Sequence, residues 1–307
     1  MRVGLLFVVG SLVASPALAG KKKRAEPAAS AEAAPAAEAP PAVVLGPEVG
    51  CWVAPGARQA WQMTTDTGFS SRYELVVRAV DGDVVTLELA GDAVMADTAD
   101  PTMKVVFEAM GNHDVVPLVR WDRAESTYTL INIDEVVEIN RLGVDAAFAT
   151  TNLPPELVAQ VRTSLLTPDM VNETWTAEAL LLTQFTCATS AVGTWTYPQR
   201  VLNPVAGGFL PAVGVMTVTL DGPNLIVDEL VQVDDAQWQA HLDAQLVSKP
   251  APPELVAALR ALVSQATNRA TVEIATGLVT SLERETYRSF NAVVRQAKAS
   301  YTAIAVE

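Results

Sequence analysis

From about Val43 onward, hydrophobic and polar positions alternate in short runs, shift to a longer period, and then alternate again. Tyr73, Leu75, Val77 and Ala79 alternate with Glu74 and Arg78, which predicts a strand over Arg72 to Val80 after an earlier one over Trp61 to Thr67. Asp81-Gly82-Asp83 should reverse the chain, because glycine supplies the positive φ of a tight turn, and Val84 to Ala90 should return beside it. Met103 to Met110, Val115 to Arg123 and Thr127 to Ile133 extend the meander, with turns at Gly111 to Asp114 and Ala124 to Ser126. Connections this short require antiparallel pairing.

The longer period runs from Asp134 to about Cys187. Asp134 is a reasonable cap, Pro155 starts a second helix, and Thr167-Pro168-Asp169 opens a third through Trp175, Leu180, Leu181 and Phe185. The next segment carries Pro198, Pro204, Gly207, Gly208 and Pro211 and reads as a loop. Strands return over Gly214 to Leu220 and Leu225 to Val233. Asp234 or Asp235 then caps a helix to about Val247. A further helix is expected from Pro253 to Ala266, with Leu255, Leu259, Leu262 and Ala266 on one buried face. Ala270 to Ala275, a turn at Thr276-Gly277, Leu278 to Phe290 and Lys298 to Val306 close the chain.

Within this pattern one phrase occurs twice. Pro154-Pro155-Glu156-Leu157-Val158-Ala159-Gln160-Val161-Arg162 recurs as Pro252-Pro253-Glu254-Leu255-Val256-Ala257-Ala258-Leu259-Arg260. Proline at a first helical position loses no hydrogen bond, and the following glutamate meets the positive end of the helix dipole. Ile131-Asn132-Ile133-Asp134-Glu135 is likewise echoed by Val231-Gln232-Val233-Asp234-Asp235, each after a hairpin signal. Residues 115–166 and 214–267 therefore read as two copies of a hairpin-helix-helix unit. The expected fold class is α+β: a curved antiparallel sheet, half-barrel-like, packed against related helical pairs.

A tryptophan-bearing first strand leads into Tyr73 to Val77 and Val84 to Leu87. Later come Leu130-Ile131-Asn132 before a helix, Leu202-Asn203-Pro204 with Gly207-Gly208, and the terminal hairpin Val272 to Val279. In this order of features the chain resembles uncharacterised secreted bacterial β-rich proteins. It is more loosely similar to the lipoprotein carriers of the bacterial envelope, whose curved, unclosed sheet covers an apolar cavity lined partly by helices. The likeness spans most of residues 57–307 and departs from the carriers in length, internal repetition and the central block of helices. It implies lipid carriage and carries over no individual ligand-binding residue.

Before the folded part, Arg2, the apolar run Val3 to Val13 and Ala17-Leu18-Ala19 predict a signal peptide over residues 1–19. Lys21 to Arg24 and an Ala, Pro and Glu tract make residues 20–42 a disordered tether, which leaves 43–307 as a single domain. An uncleaved anchor is the competing reading of the leader, since a basic cluster beside an apolar run stays cytoplasmic. No later stretch is apolar enough to span a bilayer. The expected location is therefore exported, periplasmic or extracellular. In that setting the two cysteines, Cys51 and Cys187, would pair with each other.

Charge narrows the partners. The net charge is −14, and because residues 1–42 contribute +2, the remainder carries −16. Such a body repels phosphate backbones and anionic lipid, so nucleic acid is not an expected partner. Chemistry is sparse: His113 and His241 have no second metal ligand at a suitable spacing, and no nucleophile elbow or phosphate-binding glycine loop occurs. Asp81 with Asp83 and Asp234 with Asp235 are carboxylate pairs, but they belong to a turn and a helix cap. Six tryptophans (Trp52, Trp61, Trp121, Trp175, Trp195, Trp238) read either as core or as the lining of an apolar pocket whose place the sequence leaves open. Asn172-Glu173-Thr174 matches a glycosylation acceptor. The expectation is a non-catalytic extracytoplasmic protein, without metal or cofactor, that binds a lipid, another apolar ligand or an envelope protein. A structural module with a fully packed core and an enzyme with an unfamiliar carboxylate site are the alternatives.

Overall fold

The computed structural model describes residues 44–66, 70–92, 115–149, 159, 166–187, 189–202, 209–248, 252–290 and 293–306. The leader, the tether, the strand expected at Met103 to Met110, His113 and all of the first proline-led segment except Ala159 lie outside these residues. The strands are β1 (Val44–Glu48), β2 (Arg58–Thr65), β3 (Ser70–Asp81), β4 (Val84–Asp92), β5 (Leu118–Asp122), β6 (Thr127–Leu130), β7 (Thr189–Leu202), β8 (Phe209–Asp221), β9 (Asn224–Val233), β10 (Val263–Glu273), β11 (Val279–Phe290) and β12 (Val293–Ile304). The helices are α1 (Ile133–Ala149), α2 (Pro168–Thr183), α3 (Asp235–Ser248) and α4 (Pro253–Arg260).

Strands in the order β7-β8-β9-β10-β11-β12-β2-β3-β4-β5-β6 make one curved antiparallel sheet, and β1 adds to the outer edge of β7. Among the described residues the sheet does not close, because β6 pairs there with β5 alone. The described part of the chain is thus mostly β. The meander follows the alternation: Gly82 and Gly222 both take φ +57 at the tips of their hairpins, the conformation glycine adopts without a steric penalty.

Two expectations fail, each for a nameable reason. The segment read as a loop after Cys187 is largely β7, fourteen residues long and containing Pro198. Because β1 reaches only as far as Val192, β7 is an edge strand from Gly193 onward among the described residues, a setting where a missing N–H need cost no ladder bond. The last helix stops at Arg260, so the stripe expected from Leu255 to Ala266 does not form; Leu255 is exposed, and Ala266 belongs to β10. Pairing of β10 with both β9 and β11 outweighs the local helix preference. A smaller difference concerns α1, which begins at Ile133, so Asp134 lies within its first turn and is not its cap.

The inner face carries two cores. The larger joins Trp61, Met63, Leu75, Leu87, Val227 and Leu282 to α1 and α2 through Val136, Ile139, Val171, Trp175 and Leu182. A smaller one, of Leu210, Trp238, Leu242 and Leu262, seats α3 at the opposite rim, where the Trp238 indole donates to the Leu259 carbonyl at 2.9 Å. Asp234 accepts from the Gln237 N–H at 3.0 Å and so caps α3 as its position predicts.

The rim of the larger core is clasped by the Cys51–Cys187 disulfide. Gly50 donates to the Ile274 carbonyl at 2.7 Å and accepts from the Cys187 N–H at 3.1 Å. The Trp52 indole donates to Thr186 Oγ1 at 3.1 Å, and the Thr186 hydroxyl donates to the Gly277 carbonyl at 2.7 Å. A Cβ on Gly50 would stand 1.9 Å from the Ala275 carbonyl oxygen, so only glycine lets these turns close.

Candidate functional site

The gap in the sheet is filled by α2. Thr167 caps its first turn by accepting from the Met170 N–H at 3.3 Å, and Pro168 follows at the first helical position. Toward β6, Asn172 Oδ1 accepts the Leu130 N–H at 2.7 Å, and the Tyr128 and Thr183 hydroxyls meet at 2.9 Å. Toward β7, Glu173 pairs with Arg200 at 3.1 Å, while the Arg200 guanidinium lies 4.9 Å from the centroid of the Phe209 ring. The acceptor motif at Asn172 thus has its carboxamide engaged in satisfying an edge strand.

Behind α2, between the two cores, lies a cavity of about 710 Å³. Register explains its lining. Trp195, Met216, Glu229, Asn268 and Arg284 form one row across β7 to β11, and Tyr197, Gly214, Val231, Ala266 and Thr286 form the next. Residues two apart share a face, so both rows point into the concavity. Leu180 and Leu181 of α2 oppose them.

At the centre is a polar network. The Tyr197 hydroxyl and the Asn268 Nδ2 both donate to the Glu229 carboxylate, and Glu229 and Asn268 are each over nine-tenths buried. Tyr197 reaches Glu229 by crossing over the intervening strand: a Cβ at Gly214 would sit 2.4 Å from the Tyr197 ring. Gly214 is therefore a slot for this ring. Asn268 Oδ1 has no hydrogen-bond partner among the described residues, as expected of a buried acceptor left for a water or a ligand.

Both phenols of the site titrate well above the ordinary tyrosine value. Burial is the chief cause at Tyr197, reinforced by the Glu229 charge and hydrogen bond; burial also dominates at Tyr128, partly offset by the bond to Thr183. A folded-state pKa above the unfolded one leaves stability untouched below about pH 10 and erodes it above, as unfolded phenols ionise first. A Tyr197→Phe chain should therefore lose less stability than the wild type between about pH 9 and pH 11, read as urea midpoints.

No family model and no curated protein sequence matches this chain. Among solved structures it is similar to one concerned with lipid–protein interactions in lipovitellin, with TM-score 0.36 and 9% identity, covering 83% of this chain and 26% of that one. The chain thus spans about a quarter of that neighbour's length.

The sequence-level candidates are dispersed by comparison. Asp83 lies 3.5 Å from Arg123 at a hairpin tip, Asp234 caps α3, and His241 is on an exposed face of α3 beside Trp238. Five of the tryptophans are buried, and Trp195 alone of the six lines the cavity. Among the described residues no three His, Cys, Asp or Glu converge as metal ligands would. Glu229 and Asn268 escaped sequence reasoning, although a signal existed. Glu229 is the polar exception on the inward face of β9, among Leu225, Val227 and Val231, and Asn268 joins Ser264 in interrupting the inward face of β10 that Ala266, Ala270 and Val272 make up.

Proposed function

We propose that this protein is a non-catalytic, extracytoplasmic binding protein that takes an apolar ligand into the concavity closed by α2. The observation that carries this reading is the cavity of about 710 Å³, which falls in the size range of sites for single small ligands. Its walls are apolar at Leu180, Leu181, Trp195, Met216 and Val231, and it lies in what a packed module would fill with side chains. The disulfide is in keeping with an oxidising compartment, and no described helix is long and apolar enough to cross a membrane.

The reading is tested by extracting the purified protein and identifying what it carries by mass spectrometry. An amphiphile should be recovered at a near-stoichiometric level, and N-phenylnaphthylamine should fluoresce when added to stripped protein. Val231→Trp, which fills the cavity, should abolish both signals while the chain stays folded. A wild-type protein that carries nothing and gives no fluorescence rise would refute the proposal.

A further inference from the structure

The charge of the cavity runs against that of the molecule. Its lining includes Arg200, Arg284 and Arg288 against Glu173 and Glu229, in a chain whose net charge is −14. Both glutamates are engaged, Glu173 with Arg200 and Glu229 with Tyr197 and Asn268. Across β10 and β11 the inward positions are Ser264, Ala266 and Asn268 opposite Arg288, Thr286 and Arg284. Continuing onto β12, Ala297 and Ala299 stand opposite Thr286 and Arg284. This stretch offers hydrogen-bond donors and contains no carboxylate, and Ala266, which lines the cavity, leaves room above the sheet. Arg284 and Arg288 lie roughly 13 Å apart along the strand at about 3.3 Å per residue, with long side chains on one face that can converge on a group near Thr286. A guanidinium has five donors, so each can keep its contacts within the protein and still receive an anion.

Resting on the apolar-ligand reading of this cavity, we infer that the ligand is a single-chain amphiphile with an anionic head, a carboxylate or a phosphate. The head is held by Arg284 and Arg288 with the hydroxyls of Ser264 and Thr286. The tail lies along Val231, Met216 and Trp195 beneath Leu181. The strongly acidic exterior would slow capture of an anion from bulk water, whereas a donor lining rewards it once inside.

The experiment is displacement of N-phenylnaphthylamine from the whole chain by palmitate, by its methyl ester and by lysophosphatidic acid, with urea midpoints as the check on folding. Charge-assisted hydrogen bonds predict that palmitate binds at least about tenfold more tightly than the ester, and that Arg284→Gln with Arg288→Gln removes this preference by weakening palmitate more than the ester. Tighter binding of lysophosphatidic acid than palmitate, with the same arginine dependence, supports the inference with phosphate as the head. Equal binding of palmitate and its ester by the wild type overturns the anionic head and leaves the apolar cavity standing. Binding of none of the three, with no response from the apolar probe, overturns both. Because the acid-against-ester comparison needs only the wild type, the inference stays open to refutation even if the double variant does not fold.

Discussion

Replacing both Cys51 and Cys187 with serine should lower the free energy of unfolding by about 4–5 kcal/mol, the value the chain-entropy model gives for so long a closed loop. The bridge joins residues 136 apart, so the reduced chain regains nearly half its length as free loop in the unfolded state. The native state has further reason to depend on it. Cys187 holds φ +60, a left-handed conformation that costs a non-glycine residue energy, and the turn it occupies places Thr186 between Trp52 and Gly277. Urea unfolding of the oxidised chain and of the double variant would measure the difference. An unchanged midpoint would mean that the hydrogen bonds around Gly50 hold the rim without the covalent link.

Trp61→Ala should cost about 3–5 kcal/mol, as large aromatic truncations in packed interiors do. Trp61 is fully buried at the middle of β2 and belongs to the larger core. Its indole N–H donates to the Val279 carbonyl at 2.6 Å, reaching from β2 over β12 to the start of β11. Truncation would thus open a void and strip a buried carbonyl of its donor together. Trp61→Phe separates the two effects, because it keeps most of the volume and removes only the hydrogen bond. It should cost about 1–3 kcal/mol, measured in the same denaturant series. Either the Trp61→Ala variant or the double serine variant would by itself consume much of the roughly 5–15 kcal/mol that stabilises a typical domain.

The parts of the fold that were legible before the structure are those where local chemistry and final pairing agree. Tyr73 to Ala79 alternates and forms β3; Asp81-Gly82-Asp83 turns where glycine permits; Thr167-Pro168 starts α2 where an N-cap and an N1 proline belong. Strand β7 was illegible because its alternation is of aromatic and polar groups, Trp195, Tyr197 and Gln199, interrupted by Pro198. Those residues face a polar-lined cavity, so the apolar half of the usual signal is missing. The end of the last helix was misread since Leu262 is buried, as a helical stripe would require, but by packing with Leu210 and Trp238. The site could not be read at all from spacing. Glu229 lies well before Asn268 in the chain, Asn268 and Arg284 sit on opposite arms of one hairpin, and the three become neighbours only through the register of their strands.

That register also decides when the sheet can form. Strand β12 lies between β11 and β2, bonded to both, and it is the seam between the half built from β2 to β6 and the half built from β7 to β11. Residues 293–304 are synthesised after both halves, which until then each lack the strand neighbour that β12 provides. The two halves therefore become one sheet only when β12 is in place, and a chain lacking it would leave the edges of β2 and β11 without a partner there.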